Sequence, residues 1–395
     1  MKLFKIIFFV FLFLLKCNES YCQIELSPDS EVSILTISPG NSLNDAFGHN
    51  GIRIKDLQNR IDLVFDYGRY DFNKKGFYVN FVIGKLNYEI GLLDYVSFAE
   101  NYKLEKRSIY EQNINLNETQ KQRLFKKLIL KFNSNEKTYQ YDFFYNNCAT
   151  KIRDDLKEIS DNDILFSNNN LKNLTFRNLI RSHIKTNSWS GVGIDLVLGS
   201  VVDKSATLEE HMFLPKHLKE ILSESKLKST SKKLVYKTIN SENGEIKKKS
   251  YFLFSPISIV SFLSLIIVLV TVKDLKNSSR NKLLDLLIFL VTGILGILII
   301  FLWFGTNHRA TAFNYNFLWA FCLNILMIKN LIKSNPNKKF ISYLKFLIIL
   351  ILLMIIHWIT GVQSFNHALL PLVIALLFRY IYLVFFFKLK YNNTT

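Results

Sequence analysis

Cys148, in Tyr145-Asn146-Asn147-Cys148-Ala149-Thr150, is the only cysteine between Ile24 and Ser250. Cys17 and Cys22 lie near the N-terminus and Cys322 in an apolar stretch, so a structural disulfide has no evident partner. Asparagines precede the cysteine, and Ala149, Ile152 and Leu156 follow at helical spacing, which puts the thiol at a helix start. The positive end of a helix dipole favours a thiolate, the form that attacks a carbonyl carbon. Such a nucleophile needs a base, and the same stretch holds His49, His183, His211 and His217. Of these His49, in Phe47-Gly48-His49-Asn50-Gly51, has glycine close on both sides at the mouth of a strand, which leaves the ring approachable. The other three are read as surface or packing residues. A third group must accept the second imidazole proton, and Asp66, at the end of the next strand, is the first choice, with Asn50 second. Cys148, His49 and Asp66 are therefore the candidate catalytic residues, for chemistry through a thioester. The alternative for Cys148, a small buried hydrophobe, stays open on these residues alone. His211 and His217 are poorly spaced as a metal pair and lack a cysteine ligand nearby, so neither a metal nor another cofactor is expected.

The elements that must hold these groups come strands first. Val32 to Ile37, Gly51 to Ile54, Leu63 to Phe65 and Leu86 to Ile90 read as strands joined by polar turns. Asn117 with Gln120 forms a capping-box signal before Leu124, Leu128, Ile129 and Phe132 at helical spacing. A second helix starts at Cys148 with Asn146 or Asn147 as its cap. From Trp189 to Pro215 the chain reads as irregular and glycine-punctuated. The expectation is one α+β domain over residues 24–225, followed by a basic juxtamembrane linker over 226–250 with a hairpin-like turn at Asn243-Gly244. That linker could lie on anionic headgroups or be simply solvated.

Lys2 and Lys5 before an apolar run of about ten residues, Ile6 to Leu15, read as a secretory signal removed near residue 23. From residue 251 to 390 five apolar segments follow, Phe252 to Val272, Leu283 to Phe304, Ala312 to Ile328, Phe340 to Thr360 and Leu369 to Phe387, each near the roughly twenty residues that cross a bilayer. Lysines and arginines concentrate in the loops after the first and third segments and in the tail, which makes those sides cytoplasmic and sets residues 24–250 outside. Lys247, Lys248 and Lys249 run against that pattern, but the whole set of loops outweighs them. The net charge of +18 is thus in part a topology signal, and no nucleic-acid module is discernible.

Several separated motifs, in order, carry a resemblance. Ser38-Pro39-Gly40, Ala46-Phe47-Gly48-His49, Phe65-Asp66-Tyr67-Gly68 and Asp142-Phe143-Phe144-Tyr145-Asn146-Asn147-Cys148-Ala149-Thr150 are followed by Asn187-Ser188-Trp189, Gly193-Ile194-Asp195, Leu198-Gly199-Ser200 with Asp203, and Met212-Phe213-Leu214-Pro215. Phe304-Gly305-Thr306-Asn307-His308-Arg309-Ala310-Thr311 and Asn314-Tyr315-Asn316 continue the series into the apolar region. The order of histidine and helix-start cysteine resembles the circularly permuted papain-like fold of the lecithin:retinol acyltransferase type. The whole series resembles the Lnb family of lipoprotein N-acyltransferases. The resemblance implies a permuted papain-like α+β domain followed by a five-helix all-α transmembrane bundle, in a bacterial inner membrane with the catalytic domain in the periplasm. It implies exported lipoproteins and a glycerophospholipid acyl donor as partners, the ester chain of the lipoprotein itself being the other candidate donor, with Cys148 as the acyl carrier and His49 as the proton carrier. It departs at Asp66, where the family pattern would put asparagine.

His308 and Asn316 in the second external loop, and His357 near the outer end of the fourth segment, gather polar groups at one membrane face and are candidate substrate-binding residues; the alternative is capping of span ends. Arg379 is expected to snorkel inward without a function. Two rival readings remain at this point: a membrane-tethered cysteine peptidase or amidase of the cell envelope, and a non-catalytic lipoprotein-binding module.

Overall fold

A computed structural model describes residues 25–71, 75–169, 172–241, 252–333 and 338–392. The expected signal segment and the Asn243-Gly244 turn lie outside the described residues. The N-terminal part runs β1 (Glu31–Ile37), β2 (His49–Asp56), β3 (Ile61–Arg69), α1 (Phe77–Val82), β4 (Asn87–Asp94), α2 (Tyr95–Leu104), β5 (Ile109–Ile114), α3 (Glu118–Asn133), β6 (Thr138–Gln140), α4 (Cys148–Ile159), β7 (Ile164–Leu165), α5 (Phe176–Arg181), α6 (Trp189–Val197), α7 (Leu208–His211), α8 (Pro215–Glu224), β8 (Lys226–Leu227) and β9 (Val235–Ser241). Seven of the strands form one antiparallel sheet in the order β6-β4-β3-β2-β1-β5-β9.

The two faces of the sheet follow from the period of two along each strand. Val32, Ile34, Ile52, Ile54, Phe65 and Ile90 pack on one side against Leu124 and Leu128 of α3, Ile152 and Leu156 of α4, and Leu218 and Ile221 of α8. Leu35, Ile37 and Val64 face the other way onto Phe98 of α2. Asn117 caps α3, with Gln120 returning the bond, as the sequence signal requires.

Two parts of this domain differ from expectation. The stretch after Trp189 is helical rather than irregular, and residues 226–241 are no linker. Val235–Ser241 pairs with Ile109–Ile114 as the sheet's edge, so the domain continues to Ser241. Every residue of β9 after Val235 is exposed, and the charge of Lys237 is of the kind that protects an edge strand from further pairing, which is why the strand reads as a polar tether.

Beyond residue 251 the helices are α9 (Pro256–Lys276), α10 (Lys282–Phe304), α11 (Asn324–Ile332), α12 (Lys338–Ile359) and α13 (Leu370–Asn392). Among the described residues four helical stretches are long and apolar enough to cross a membrane, not the expected five. The third expected span, Ala312 to Ile328, is broken: short 3-10 turns at Arg309–Thr311 and Tyr315–Leu318 precede the nine-residue α11. The interruption is local chemistry. Phe313 has φ +52°, and the side chain of Asn314 bonds the Asn316 N–H, a turn that competes with helix. The segment still runs from the N-terminal domain, where Asn314 Nδ2 donates to the Leu196 carbonyl at 2.8 Å, to the opposite end, where Arg280 Nη2 donates to the Leu331 carbonyl at 2.9 Å.

Arg379 does not snorkel. Its guanidinium is fully buried, donating to Asp285 Oδ1 and to Asp274 Oδ2 at 2.7 Å each, and it ties α9, α10 and α13 together.

The two parts are bonded to each other at many points. Asp195 of α6 accepts from Arg177 and Arg181 of α5 and from Asn366 of the membrane part. Arg181 also donates to Ser364 Oγ and to the carbonyls of Ser364 and Phe365. Backbone bonds join Gly199 to Ala310 at 2.8 Å and Ser200 to Phe313 at 3.0 Å. A Cβ on Gly199 would lie 1.7 Å from the Ala312 carbonyl oxygen, so only glycine permits this approach. Asp195→Ala leaves the fully buried Arg177 with one carboxylate fewer and frees Asn366 and Arg181. Loss of about 3–5 kcal/mol is expected, read as a lower unfolding temperature and faster proteolysis between the domain and α9 in lipid discs.

Candidate active site

The cysteine is placed by a tight loop. Asp142 Oδ1 accepts from the N–H groups of Phe144 and Tyr145, and the backbones of Asp142 and Asn146 bond each other in both directions. Asn147 then caps α4: its Oδ1 accepts from Ala149 N and Thr150 N at 2.9 and 3.0 Å, and Thr150 Oγ1 accepts from Asn147 N at 2.8 Å. The other end of the Asn147 amide donates to the carbonyls of Phe143 and Phe213, at 2.8 Å each, which ties the cap to the Met212-Phe213-Leu214-Pro215 turn. Cys148 is the first residue of the helix, partly buried, and its own N–H is a first-turn donor that the cap does not take.

His49 opens β2 and is paired with Ile37 of β1, while Gly51, two residues on and on the same face, is paired with Asp66 of β3. That register sets histidine and aspartate diagonally across one pair of strands. His49 Nε2 lies 3.1 Å from Asp66 Oδ2, and the Cys148 side chain is close enough to the ring to act on its charge. With Nε2 engaged by the carboxylate, Nδ1 is the nitrogen left for the thiol. The three candidate residues thus form one chain: thiol, imidazole, carboxylate. Room for the carboxylate comes from Gly91, opposite Asp66 on β4, where a Cβ would sit 2.6 Å from Asp66 Oδ1.

The charges favour an ion pair at the centre. Burial opposes a charged His49 ring, but Tyr102, Cys148 and the hydrogen bond to Asp66 outweigh it, and its pKa is held well above the ordinary 6.5. Burial likewise opposes the charge on Asp66, yet bonds from His49 and Arg69 keep its carboxyl below the ordinary 3.8. Arg69 Nε donates to both carboxylate oxygens at 2.9 Å. Sequence reasoning missed Arg69; its spacing in Asp66-Tyr67-Gly68-Arg69, with a bulge between Tyr67 and Arg69, was the available signal. It also missed Tyr102, whose ring centroid is 6.5 Å from that of His49 and which no local pattern announces. Burial raises the phenols of Tyr139 and Tyr141, both within electrostatic reach of Cys148, so they stay protonated donors at neutral pH. The buried Tyr139 hydroxyl has no partner among the described residues.

The remaining histidines are not isolated. His183 and His211 flank His217, with ring centroids 6.4 and 5.7 Å from it, and the His211 side chain is buried against the Thr207 carbonyl. Among the described residues no group of histidine, cysteine and acidic side chains could hold a metal ion.

The three residues expected to bind substrate from the membrane face are engaged otherwise. Asn316 is fully buried, its amide donating to the Asp195 and Leu196 carbonyls and its oxygen accepting from Trp319 Nε1, so it is a clamp between the two parts and no open ligand. His308 Nε2 lies 2.9 Å from the Phe81 carbonyl. His357 bonds the Leu353 carbonyl at 2.8 Å and packs on Tyr315. Among the described residues no hydrogen bond or ring contact joins any of them to Cys148 or His49.

A cysteine, histidine and carboxylate chain on a mixed α/β domain, docked to a helical membrane part, defines a membrane protein with an extramembrane thiol site. Residues 18–182 match the model of the Lnb N-terminal periplasmic domain, and residues 247–390 match that of the Lnb transmembrane domain. The chain belongs to the Lnb family, with a periplasmic domain and a transmembrane domain in that order. No curated protein and no solved structure matches it.

Asp66→Asn keeps the shape and removes the charge that favours protonated His49. The titration of the His49 ring, followed by the NMR shift of its Cε1 proton and centred above pH 6.5 in the parent, moves to lower pH. Gly91→Ala, which displaces the same carboxylate by crowding, shifts that titration in the same direction.

Proposed function

We propose that the protein is a cysteine-dependent acyltransferase that N-acylates the lipidated N-terminal cysteine of exported lipoproteins, drawing the acyl chain from a glycerophospholipid. The observation that carries this reading is the Cys148, His49 and Asp66 chain on a domain bonded to membrane loops. Cys148 Sγ attacks the ester carbonyl, and the oxyanion is stabilised by the Cys148 N–H at the start of α4. His49 gives its proton to the departing glycerol oxygen as the carbon–oxygen bond breaks, leaving a thioester. The α-amine of the lipoprotein then attacks the thioester, His49 takes the amine proton, the carbon–sulfur bond breaks and the amide is released. Asp66 keeps the imidazole oriented and its charged form favoured throughout. The fold that suits this chemistry is the permuted papain-like arrangement, strand-borne histidine before helix-borne cysteine, and no resident cofactor is called for. The reading sets the protein in a bacterial inner membrane with its catalytic domain in the periplasm.

An envelope peptidase or amidase would need an active site that works without the spans, and the many bonds between α5, α6 and the outer membrane loops speak against such independence. A binding module has no use for a histidine held between a carboxylate and a thiol. In cells whose lipoprotein N-acylation relies on this chain, Cys148→Ser abolishes the N-acylated form and His49→Gln lowers it by about 10²–10⁴ in rate. Mass spectrometry of N-terminal lipopeptides reads both, and unchanged N-acylation in the Cys148→Ser strain would sink the proposal.

A further inference from the structure

Between β3 and β4 lies a segment that the catalytic chain does not use: Gly76-Phe77-Tyr78-Val79-Asn80-Phe81-Val82-Ile83-Gly84, with Asn80 as its one polar amide side chain and Lys75 and Lys85 at its ends. Phe77–Val82 forms α1, none of whose residues is buried; Tyr78 and Val79 are 70% and 65% exposed, Phe81 and Val82 48% and 49%. A soluble domain does not keep so apolar a helix in water without a use for it. Its position supplies the use. The Ile83 carbonyl accepts from Asn307 N at 2.9 Å, the Phe81 carbonyl meets His308 Nε2, and Gly84, at φ +76°, lies so close that a Cβ would be 2.9 Å from His308 N. Asn307 follows Phe304, the last residue of α10 and itself 72% exposed, so the apolar face of α1 continues the lipid-facing surface of a membrane span.

From α1 a row of rings leads inward. Phe81 is 6.2 Å from Phe77, Phe77 5.7 Å from Tyr70, Tyr70 4.7 Å from Tyr88, and Tyr88 stacks on Tyr141 at 4.4 Å. The backbone follows the same path: Gln140 Nε2 donates to the Gly84 carbonyl, Tyr141 N to the Leu86 carbonyl, and Asn146 Nδ2 to the Gln140 carbonyl, two residues before Cys148.

We propose that α1 is seated in the outer leaflet surface of the membrane and receives the acyl chain of a bilayer lipid, which then lies along the ring row from Phe81 to Tyr141 with its ester at Cys148. Lys75 and Lys85 flank the helix where lipid phosphates would lie, and the aromatic residues sit at the depth where such rings are favoured. The hand-over to Cys148 rests on the acyl-enzyme reading above; the seating of α1 does not.

Two measurements on the full chain in phospholipid nanodiscs test this. A nitroxide on Val79→Cys, with the other cysteines replaced, is relaxed by oxygen more than by a water-soluble nickel chelate, whereas one on Leu57→Cys, at a turn 79% exposed, shows the reverse. In the parent cysteine background, Tyr78→Glu with Val79→Glu, both on the exposed face of α1 and outside the ring row, lowers acylation of Cys148 from bilayer phospholipid at least tenfold. The same variant keeps the parent rate with p-nitrophenyl butyrate, which shows that its site is folded. A label at position 79 that behaves like the one at 57, or an undiminished phospholipid rate, overturns the inference. A parent chain acylated by neither donor overturns instead the acyl-enzyme reading on which the hand-over rests.

Discussion

The carboxylate of Asp195 is the point on which the rest of the structure turns. Almost wholly buried, it is shared by Arg177, Arg181 and Asn366, and its neighbours Leu196 and Val197 offer their carbonyls to Asn314 and Asn316. Charges so deep are stable only when paired, and removing one partner strands the others, so the cluster is held together by the cost of its own disruption. It has a geometric effect as well. The helices that carry it are joined through Phe213 to the cap of α4, so the height of Cys148 above the membrane follows from where this cluster docks. A single anchor span would leave the domain free to tumble, and the latch removes that freedom.

Within the domain, the site arises from three ordinary devices meeting at one sheet end: an asparagine cap, a strand register and a missing side chain. Asn147 brings the cysteine to the first turn of α4. The β2–β3 pairing brings His49 to Asp66. Gly91 leaves room for the carboxylate and for Arg69 above it. Burial alone would discharge both His49 and Asp66, and it is their mutual bond, with Arg69 and Cys148 on either side, that keeps the charged forms.

What was legible in the sequence was what local chemistry encodes. Asn117 with Gln120 and Asn147 with Thr150 are caps whose partners lie three residues away, and β1 to β4 are short apolar runs bounded by turn residues, as strands buried on both faces are. Cys148, His49 and Asp66 could be picked out as candidates because residue type and flanking glycines advertise chemistry, and what tertiary structure adds is their proximity. Elements decided by distant partners were not legible. β9 is a polar, exposed edge strand that reads as a tether. The Ala312 to Ile328 segment has the apolarity of a span but is broken by asparagines whose bonds go to another domain. Asn316 and Arg379 show the same limit from the side-chain level, for a polar residue near a membrane reads alike whether it is a ligand, a snorkel or a buried clamp.

The most direct measurement of the central claim is the intact mass of the purified full chain after incubation in nanodiscs with a phospholipid of defined acyl chain. The expected result is a gain of one acyl group, removed by neutral hydroxylamine, mapped to the peptide holding Cys148, and discharged when an amine-bearing diacylglyceryl lipopeptide is added. An unmodified chain that still N-acylates the lipopeptide, or an acyl group on any residue other than Cys148, would contradict it.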